Sequence, residues 1–366
     1  MIVAQVLRLK SLKSIWFTIL AVAVDVVVTA VIILSIYYCN YMVPYKFDTP
    51  NFSLNSLYSL ENGQGLLPHL ENKPFSDNHL TGNSSSDTKI GTNTPGNSDT
   101  FGTDAGLEGK FADKFSDQVV STDNSYQSQD LSITITPYRT GSGDNAVTYY
   151  VADVYTSNIN CFRTYFAQNT YGSGYTEHLT DMSNDVRAIL AMNGDSYCYN
   201  HQHTAGALIR NGRVYRAEPT TSDVCILYRN GEMNTYSPDQ FNLQQAVQDG
   251  AYQSWTFGPS LLDEQGKALT NFNTWDYIRK AHPRSAIGYY EPGHYCFVVV
   301  DGRQTGYSRG MTLSELAQVF QNLGCSAAYN LDGGHSTFMT MNGQVVNHPY
   351  KSNRQIVDCL YFGEVQ

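Results

Sequence analysis

Four polar side chains of different chemistry lie on one short glycine turn near the end of the sequence. An apolar run enters the turn at residues 327–329, and a second β-prone run leaves it at residues 337–341, which predicts strand, tight turn and strand. Two adjacent glycines allow positive φ and let a ligand approach the backbone closely. A plain hairpin needs the glycines but not the amide, carboxylate, imidazole and hydroxyl beside them, so the turn is a candidate site. Its residues are Asn330, Asp332, Gly333, Gly334, His335 and Ser336.

A similar strand end lies upstream. Residues 298–300 are three valines, followed by Asp301, Gly302 and Arg303. Each Asp-Gly pair alone is typical of a hairpin turn. The two features together, with Arg284 before them, favour neighbouring walls of one site.

Composition narrows the class of partner. The chain has 366 residues and a formal net charge of −10, so it does not predict the basic surface that nucleic-acid phosphates require, and we expect no nucleic-acid partner. The 27 tyrosines fit sugar stacking and equally fit an ordinary β-rich extracellular domain. The seven cysteines form no CxxC pair, which argues against a zinc ribbon. We expect buried thiols with at most one disulfide.

The N-terminal residues predict a membrane anchor. Residues 1–14, a short cytoplasmic tail, carry basic residues and no acidic one, and residues 15–38 are mostly apolar. This run is long enough to span a bilayer, and the positive flank predicts a single-pass protein of the cell membrane with a cytoplasmic N-terminus and an extracellular domain. The alternative is a cleaved signal peptide, whose apolar region is shorter and ends at small residues; residues 35–39, SIYYC, do not fit such a cleavage site.

The remaining chain divides into a linker and a folded domain. Residues 39–114 are predicted to be a flexible linker, because polar residues and glycine dominate them and cannot bury enough apolar surface to offset the entropy of ordering. Residues 115–366 form the predicted domain. Strand patterns at residues 131–136, 147–155 and 186–192, with hairpins at two Asn-Gly pairs, outnumber the helices. The predicted class is α+β, with a mixed β-sheet core and few helices.

Cap residues predict two helices. The first opens at Ser237, which is followed by proline, and closes before Gly250. The second opens at Thr312, with Glu315 three residues on as in a capping box, and ends at Gly324.

Six motifs follow one another along the folded part. They are AMNGDSY (191–197), FGPSL (257–261), PRSAIG (283–288), VVDGR (299–303), SRGMTLSELA (308–317) and AYNLDGGHS (328–336). In this order they resemble the phosphodiester glycosidase family, over roughly residues 131–361. The sequence departs from the family at His335, where a third glycine is usual, and at Ser285, where threonine is usual. His335 adds bulk and a titratable ring to the turn.

The resemblance implies a hydrolase that cleaves the C1–O bond of a sugar-1-phosphodiester in a glycoconjugate or cell-surface polymer. Many bacterial members of the family are labelled exopolysaccharide-biosynthesis proteins, which implies a role at the bacterial cell envelope. The transition state resembles an oxocarbenium ion. Because the leaving group is a phosphate monoester, whose second pKa is about 6, general-acid help matters less. What matters more is a clamp on the phosphate and a carboxylate that faces C1.

On this interpretation, the catalytic carboxylate is Asp332 first, Asp195 second and Asp301 third. Arg284 and Arg303 are the candidates for the phosphate clamp, since the guanidinium fork matches phosphate. The other candidate substrate contacts are Asn193, Asn330, Gly333, Gly334, His335, Ser336 and Glu315. Each candidate also has a structural interpretation: an Asx turn for the acids and amides, a salt bridge for the arginines, and the helix cap for Glu315.

Several questions stay open at this stage. No cofactor is predicted, and the metal requirement is unknown: the Asp and Asn cluster lacks EF-hand spacing for Ca²⁺, and His201 and His203 lack a third ligand. Two other functions compete with the hydrolase. One is a non-catalytic module that binds surface glycopolymer, and the other is a phosphodiesterase that cuts P–O. The oligomeric state is not predicted.

Overall fold

The computed structural model describes residues 2–41, 43–49, 107, 109–199, 202–203 and 205–365. The helices in these ranges are α1 (Ile2–Tyr41), α2 (Leu179–Asp185), α3 (Leu243–Gln248), α4 (Asp276–Arg279) and α5 (Leu313–Leu323). The strands are β1 (Tyr45–Lys46), β2 (Val120–Ser121), β3 (Ser125–Gln127), β4 (Leu131–Thr140), β5 (Val147–Thr156), β6 (Phe162–Phe166), β7 (Gly172–Ser173), β8 (Leu190–Asn193), β9 (Cys198–Tyr199), β10 (Gln202–His203), β11 (Ala207–Arg210), β12 (Arg213–Ala217), β13 (Val224–Tyr228), β14 (Met233–Tyr236), β15 (Ala251–Trp255), β16 (Arg284–Glu291), β17 (His294–Val300), β18 (Ala327–Asn330), β19 (Met339–Met341), β20 (Gln344–Val345) and β21 (Asp358–Phe362).

Two large sheets form the body of the domain. One has seven strands in the order β18-β16-β17-β5-β4-β3-β2, and the other has five in the order β20-β19-β8-β21-β6. Smaller sheets pair β1 with β7, β9 with β10, β11 with β12, and β13 with both β14 and β15. The predicted α+β class is confirmed, and the strand pairs between described residues are antiparallel rather than mixed in direction.

The main hydrophobic core lies between the two large sheets. Ile133 and Phe297 of the seven-stranded sheet share it with Phe162 and Phe362 of the five-stranded sheet. The ring of Phe162 is centred 5.5 Å from that of Phe297 and 4.4 Å from that of Phe362. Each such side chain contributes about 1.5–3 kcal/mol when it leaves water. The alternation predicted for residues 131–136 is present, because every second side chain at the start of β4 points into this core.

Helix α5 covers the opposite face of the seven-stranded sheet, where Phe320 packs in one cluster with Val298 of β17. The predicted capping box is confirmed: the Thr312 hydroxyl accepts the Glu315 N–H at 3.2 Å, and the Glu315 carboxylate accepts the Thr312 N–H at 2.9 Å. Gly324, with φ of 84°, ends the helix as predicted.

Other local predictions have mixed outcomes. The two Asn-Gly hairpins are confirmed as β11–β12 and β13–β14. The helix start at Ser237 is wrong: that residue begins a turn, and α3 starts later, because Asn242 caps it by accepting the Gln245 N–H at 2.6 Å. The strand predicted at residues 186–192 is limited to β8, since the residues before it complete the end of α2.

The cysteines of the domain are buried, free thiols, as predicted. Cys296 and Cys325 lie with their sulfur atoms 3.8 Å apart, without a disulfide. Both belong to the core beneath α5.

Helix α1 contains an apolar segment, Trp16–Tyr38, that is long and apolar enough to cross a membrane. A membrane span and a signal sequence both meet this criterion of length and composition. The segment agrees with the predicted anchor, residues 15–38.

Part of the predicted linker, residues 39–114, contacts the domain. Strand β1 pairs with β7, and the ring of Phe47 is centred 5.0 Å from that of Tyr171. Leu107 is buried in the main core. The long central part of the linker, residues 50–106, lies outside the described residues.

Candidate active site

The turn that carries Asp332 connects the two large sheets. Strand β18 belongs to the seven-stranded sheet and β19 to the five-stranded sheet, so the predicted strand–turn–strand is present but is not a hairpin. The Gly334 N–H bonds to the Pro283 carbonyl at 2.9 Å, which fixes the turn beside the start of β16. Gly334 has φ of 64°, and a Cβ there would lie 3.2 Å from Nη2 of Arg303. Glycine suits the position on both counts.

The carboxylate of Asp332 is half-buried and held by its own turn. Oδ1 accepts the Gly333 N–H at 2.9 Å, and the Ser336 hydroxyl also bonds to the carboxylate. Burial raises the pKa of Asp332 from 3.8 to about 6, although these hydrogen bonds and the charge of Arg354 oppose the rise. Asp332 therefore changes charge close to neutral pH, which suits a catalytic carboxyl group.

Asn193 joins the end of β8 to this turn. Its side chain is 1% exposed, and Nδ2 donates to the Asp332 carbonyl oxygen at 2.7 Å. Oδ1 accepts the Ser285 hydroxyl at 2.6 Å and the Phe338 N–H at 3.3 Å. Both ends of the amide are bonded within the protein, so Asn193 positions Asp332.

Asp332 lines a cavity of about 290 Å³ where the two large sheets meet. The walls come from the end of β8, the Asp332 turn and the start of β21. This volume is at the lower end of the range for small-molecule sites, about 300–1,000 Å³. Residues that line it include Asn193, Gly194, Asp332, Ser336, Arg354 and Asp358.

Asp358 is the second carboxyl group in this cavity. It begins β21 and is 1% exposed. Oδ2 accepts Nη2 of Arg210 at 2.8 Å, whereas Oδ1 is buried without a hydrogen-bond partner among the described residues. Gly194 allows this approach, because a Cβ there would lie 2.3 Å from Oδ1 of Asp358.

Arg210 bonds two buried carboxyl groups at once. Nη2 lies 2.7 Å from Oδ1 of Asp195 and 2.8 Å from Oδ2 of Asp358. Two buried carboxylates beside one cation carry excess negative charge, which disfavours ionisation of Asp358. Burial raises the pKa of Asp358; Arg210 opposes the rise and Asp195 adds to it. Asp195 has more hydrogen-bond partners, since Oδ2 also accepts the Thr256 N–H at 3.1 Å, whereas Oδ1 of Asp358 has none among the described residues.

Positive charges surround the open side of the turn. Arg354 lines the 290 Å³ cavity and also an adjoining cavity of about 400 Å³ that contains His335 and Lys351. Arg303 lies over Gly334. In the part of the chain that the structure describes, Arg303, Lys351 and Arg354 form no ion pair with a carboxylate. They are therefore available to an anionic ligand.

His335 lies at the rim and does not line the 290 Å³ cavity. Its ring stacks on Tyr350, with centroids 5.3 Å apart and an interplanar angle of 18°. Burial, followed by the charges of Arg303, Lys351 and Arg354, lowers the pKa of His335. The residue therefore adds a neutral aromatic surface to the rim at pH 7.

Arg284, a predicted phosphate clamp, is directed into the protein and is 3% exposed. Nε donates to the Met311 carbonyl at 2.9 Å, and Nη2 donates to the carbonyls of Ile278, at 2.6 Å, and Lys280. Burial lowers its pKa to about 10. Through these hydrogen bonds Arg284 stabilises the segment around α4. A phosphate would have to displace the carbonyls to reach Nε or Nη2.

Asp301, the third predicted catalytic acid, is 1% exposed. Oδ1 accepts Nδ2 of Asn347 at 2.8 Å, and Oδ2 accepts the Tyr307 hydroxyl at 2.8 Å. The His348 N–H bonds to both oxygens, at 3.2 and 3.0 Å. Asp301 thus fastens the 347–348 segment to the end of β17. It does not line the Asp332 cavity.

Glu315 and Asn330 are also held by neighbours. Glu315 caps α5 and pairs with Arg309, whose Nη1 lies 3.1 Å from Oε2. Asn330 is fully buried, and Nδ2 donates to the Gly258 carbonyl at 2.8 Å. Oδ1 of Asn330 has no hydrogen-bond partner among the described residues.

No group of three or more His, Cys, Asp or Glu side chains suited to a metal ion occurs within the described ranges. Of the predicted HQH loop, His203 belongs to β10, which pairs with β9. His201 lies outside the described residues.

Comparison with known proteins gives a family match for part of the folded domain. The sequence profile of the phosphodiester glycosidases matches residues 186–363, a span that contains the end of β8, the Asp332 turn and the start of β21. These residues belong to the phosphodiester glycosidase family.

A solved enzyme structure shares the fold of this phosphodiester glycosidase domain. The zebrafish N-acetylglucosamine-1-phosphodiester alpha-N-acetylglucosaminidase catalytic domain, auto-inhibited by its pro-peptide, matches with a TM-score of 0.53 and 18% identity, over 68% of this chain and 88% of that one. A hypothetical protein from Synechocystis matches with a TM-score of 0.49 and 15% identity, over 64% of this chain and 62% of that one.

A curated relative is the SPbeta prophage-derived uncharacterized protein YomE of Bacillus subtilis (strain 168). It is 27% identical over 231 residues, which are 62% of this chain and 35% of the relative. The chain therefore spans about a third of the length of that relative.

Two residues in the cavity of the phosphodiester glycosidase domain were missed by the sequence analysis, Arg354 and Asp358. Asp358 is the lone charge in the otherwise apolar run at residues 356–362, and that isolation is a usable signal, since a charge in a buried strand needs a partner. Arg354 lies in a polar stretch and gave no comparable signal.

Proposed function

We propose that this domain hydrolyses the C1–O bond of a sugar-1-phosphodiester in a glycoconjugate or cell-surface polymer. The observation that carries the proposal is that Asp332 and Asp358 line one cavity while their surroundings differ in charge. Glycosidases rely on two carboxyl groups whose environments assign them different protonation states. The family match supports the reaction class.

Asp332 is the group we assign to face the anomeric carbon. When ionised, it stabilises the positive charge that develops on the sugar as the bond to the phosphate oxygen breaks. The hydrogen bonds from Gly333 and Asn193 hold this turn in place before the reaction. Asp358, in its protonated form, donates a hydrogen bond within the cavity. Water then bonds to C1 and gives up a proton, which the released phosphate monoester accepts, since its second pKa is about 6.

The phosphate is held at the rim by cations. Arg303, Lys351 and Arg354 lie beside the Asp332 turn without a carboxylate partner among the described residues. They offset the charge of the phosphodiester and of the phosphate monoester that leaves. This arrangement replaces the predicted Arg284 clamp with Arg354, while Arg303 keeps its predicted role.

Cleavage in ¹⁸O-labelled water tests the proposal. Purified full-length chain in detergent is incubated with methyl 1-phosphodiesters of several sugars, including N-acetylglucosamine, the sugar in the name of the zebrafish enzyme. Label in the released sugar is the expected result, and label in the phosphate would show P–O cleavage instead. Binding of the diesters without hydrolysis of any of them would favour the non-catalytic module.

We also propose that the segment Trp16–Tyr38 anchors the chain in the cell membrane, with the N-terminus cytoplasmic and the domain extracellular. The positive flank of the segment supports this orientation. Full-length chain should stay in the membrane fraction after a carbonate wash, and protease added to intact cells should release the domain. A mature chain that begins after Cys39 would instead show a cleaved signal peptide.

A further inference from the structure

A second cavity, of about 1000 Å³, lies next to the proposed catalytic site. Asp195 lines this larger cavity, Asp358 lines the 290 Å³ cavity, and Arg210 bonds both carboxyl groups. The buried group of Asp195, Arg210 and Asp358 thus separates the two cavities. We call the larger one the Trp275 cleft. Residues that line it include Thr220, Thr221, Phe257, Phe272, Asn273 and Trp275.

Trp275 is a large aromatic residue of the cleft that is 82% exposed. Single exposed apolar side chains are ordinary on protein surfaces, but Trp275 lies two residues from Tyr277, which is 59% exposed. Two exposed aromatic side chains on one short segment are of a kind enriched at binding surfaces. Phe257 and Phe272 supply further apolar surface, and hydroxyl and amide side chains supply the polar part. Apolar faces beside neutral hydrogen-bonding groups match the surface of a sugar ring, which has C–H faces and a hydroxyl edge.

The charged side chains of the cleft are each hydrogen-bonded or ion-paired within the protein. Asp223 accepts the Ser260 N–H and Nδ2 of Asn273, both at 3.0 Å. Asp195 is paired with Arg210. Nη1 of Arg279 lies 3.4 Å from Oδ1 of Asp276, and Nη2 donates to a backbone carbonyl at 2.7 Å. The cleft therefore offers no strong attraction to an anion. In this it differs from the rim beside Asp332, which carries Arg303, Lys351 and Arg354.

Helix α4 connects the cleft to the proposed catalytic turn. Trp275 occupies the position just before the helix, and Ile278 within it lines the cleft. On the same helix, the Tyr277 hydroxyl lies 3.3 Å from Nη2 of Arg303, and Arg303 lies over Gly334 of the turn. The short helix α4 therefore lies between a ligand in the cleft and the Asp332 site.

We propose that the Trp275 cleft binds an uncharged oligosaccharide, with one sugar ring stacked on Trp275. The proposal rests on the proposed hydrolysis in one respect: the bound glycan is the chain that extends from the reacting sugar. The substrate class is then a glycan polymer with neutral sugars next to the phosphodiester, rather than a small glycoside. The cleft, whose Arg279 is paired with Asp276, selects the uncharged glycan, and the cationic rim holds the phosphate.

Tryptophan fluorescence tests the binding directly. The chain has three tryptophans; Trp255 is fully buried and Trp16 lies in α1. Full-length chain in detergent is titrated with chitotetraose, maltotetraose and xylotetraose. At least one of them should change the emission. Trp275→Phe should abolish that change, and Trp16→Phe should retain it. No change with any glycan, or a change that persists in Trp275→Phe, would overturn the proposal.

Steady-state kinetics show whether the cleft proposal fails independently of the proposed hydrolysis. The substrates are methyl 1-phosphodiesters of the glycan that alters the emission, as the monosaccharide and as the tetrasaccharide. Trp275→Ala should raise KM for the tetrasaccharide about tenfold, the scale of one lost stacking contact, and leave the monosaccharide unchanged. Equal effects on both would overturn the cleft assignment. If neither substrate is hydrolysed while the fluorescence change persists, the proposed hydrolysis fails and the glycan site stands.

Discussion

Nδ2 of Asn193 lies 2.7 Å from the carbonyl oxygen of Asp332, and this hydrogen bond joins the two large sheets at the proposed active site. Asn193 ends β8 of the five-stranded sheet, and Asp332 follows β18 of the seven-stranded sheet. The position of the carboxylate therefore depends on how the sheets meet as well as on the turn.

We expect Asn193→Ala to lower kcat about tenfold, because the Asp332 turn loses a buried hydrogen bond worth about 1–3 kcal/mol. KM should change less. The matched control is Ser285→Ala, which removes the bond from Ser285 to Asn193 but leaves the bond to Asp332. Steady-state kinetics with a methyl sugar-1-phosphodiester compare the two. A loss of kcat in Ser285→Ala as large as that in Asn193→Ala would contradict the positioning role.

Asp332→Asn should lower turnover without lowering the thermal stability of the protein. Burial raises the pKa of Asp332 from 3.8 to about 6, so the folded protein binds this proton more tightly than the unfolded chain. The protonated Asp332 therefore stabilises the fold. This contribution to the free energy of unfolding is complete below pH 3.8 and is lost as the pH rises through 6. At pH 7.5 the ionised group therefore destabilises the fold, and the variant should have a Tm equal to or above that of the wild type. The Tm difference should shrink towards pH 4.

The same substitution should lower turnover at least about a hundredfold, the scale of one preorganised electrostatic group. Binding of the diester should remain near normal, because the charge acts mainly in the transition state. Wild-type kcat/KM should fall as the pH drops below about 6, when Asp332 becomes protonated. A variant that keeps its turnover would remove Asp332 from the mechanism.

The sequence predicts the local structure of the site well, because local signals determine it. Short-range patterns specify the backbone conformation at three places: the apolar strand β17, the capping box at Thr312 and the glycines after Asp332. One exception is Ser237, where a valid cap signal competes with Asn242, and the later residue caps the helix. Another is the strand predicted at residues 186–192, which is limited to β8.

The sequence does not predict which polar groups face the cavity. Arg284 and Asp301 follow the same kinds of pattern as Asp332, yet backbone carbonyls and the 347–348 segment bond to them. Asp358 enters from a strand of the other sheet, and its cation, Arg210, comes from β11. Such contacts join residues far apart in the chain. The isolated charge of Asp358 indicates that it needs a partner, but a single sequence does not identify that partner.

Asp195→Asn tests the charge balance around Arg210. The negative charge of Asp195 helps to raise the pKa of Asp358, so its removal should lower that pKa. If protonated Asp358 takes part in the reaction, the alkaline limb of the kcat/KM profile should move to lower pH in the variant. Asp358→Asn, which cannot ionise, should remove that limb. An alkaline limb that is the same in wild type and Asp195→Asn would show that Asp358 does not control it.

The last prediction compares Arg354, which we assign to bind the phosphate, with Arg284, which we assign a structural role. Arg354 is exposed at the cavity rim, and Arg284 is 3% exposed with three backbone carbonyls around it. Arg354→Lys keeps the charge but loses the fork, so KM for a sugar phosphodiester should rise about tenfold while Tm is unchanged. Arg284→Lys leaves buried carbonyls without donors, at about 1–3 kcal/mol, and should lower Tm by several degrees with a smaller effect on KM. Thermal melts and kinetics on both variants decide the matter. If Arg284→Lys raises KM at an unchanged Tm, the phosphate is held at Arg284 and the assignment to Arg354 is wrong.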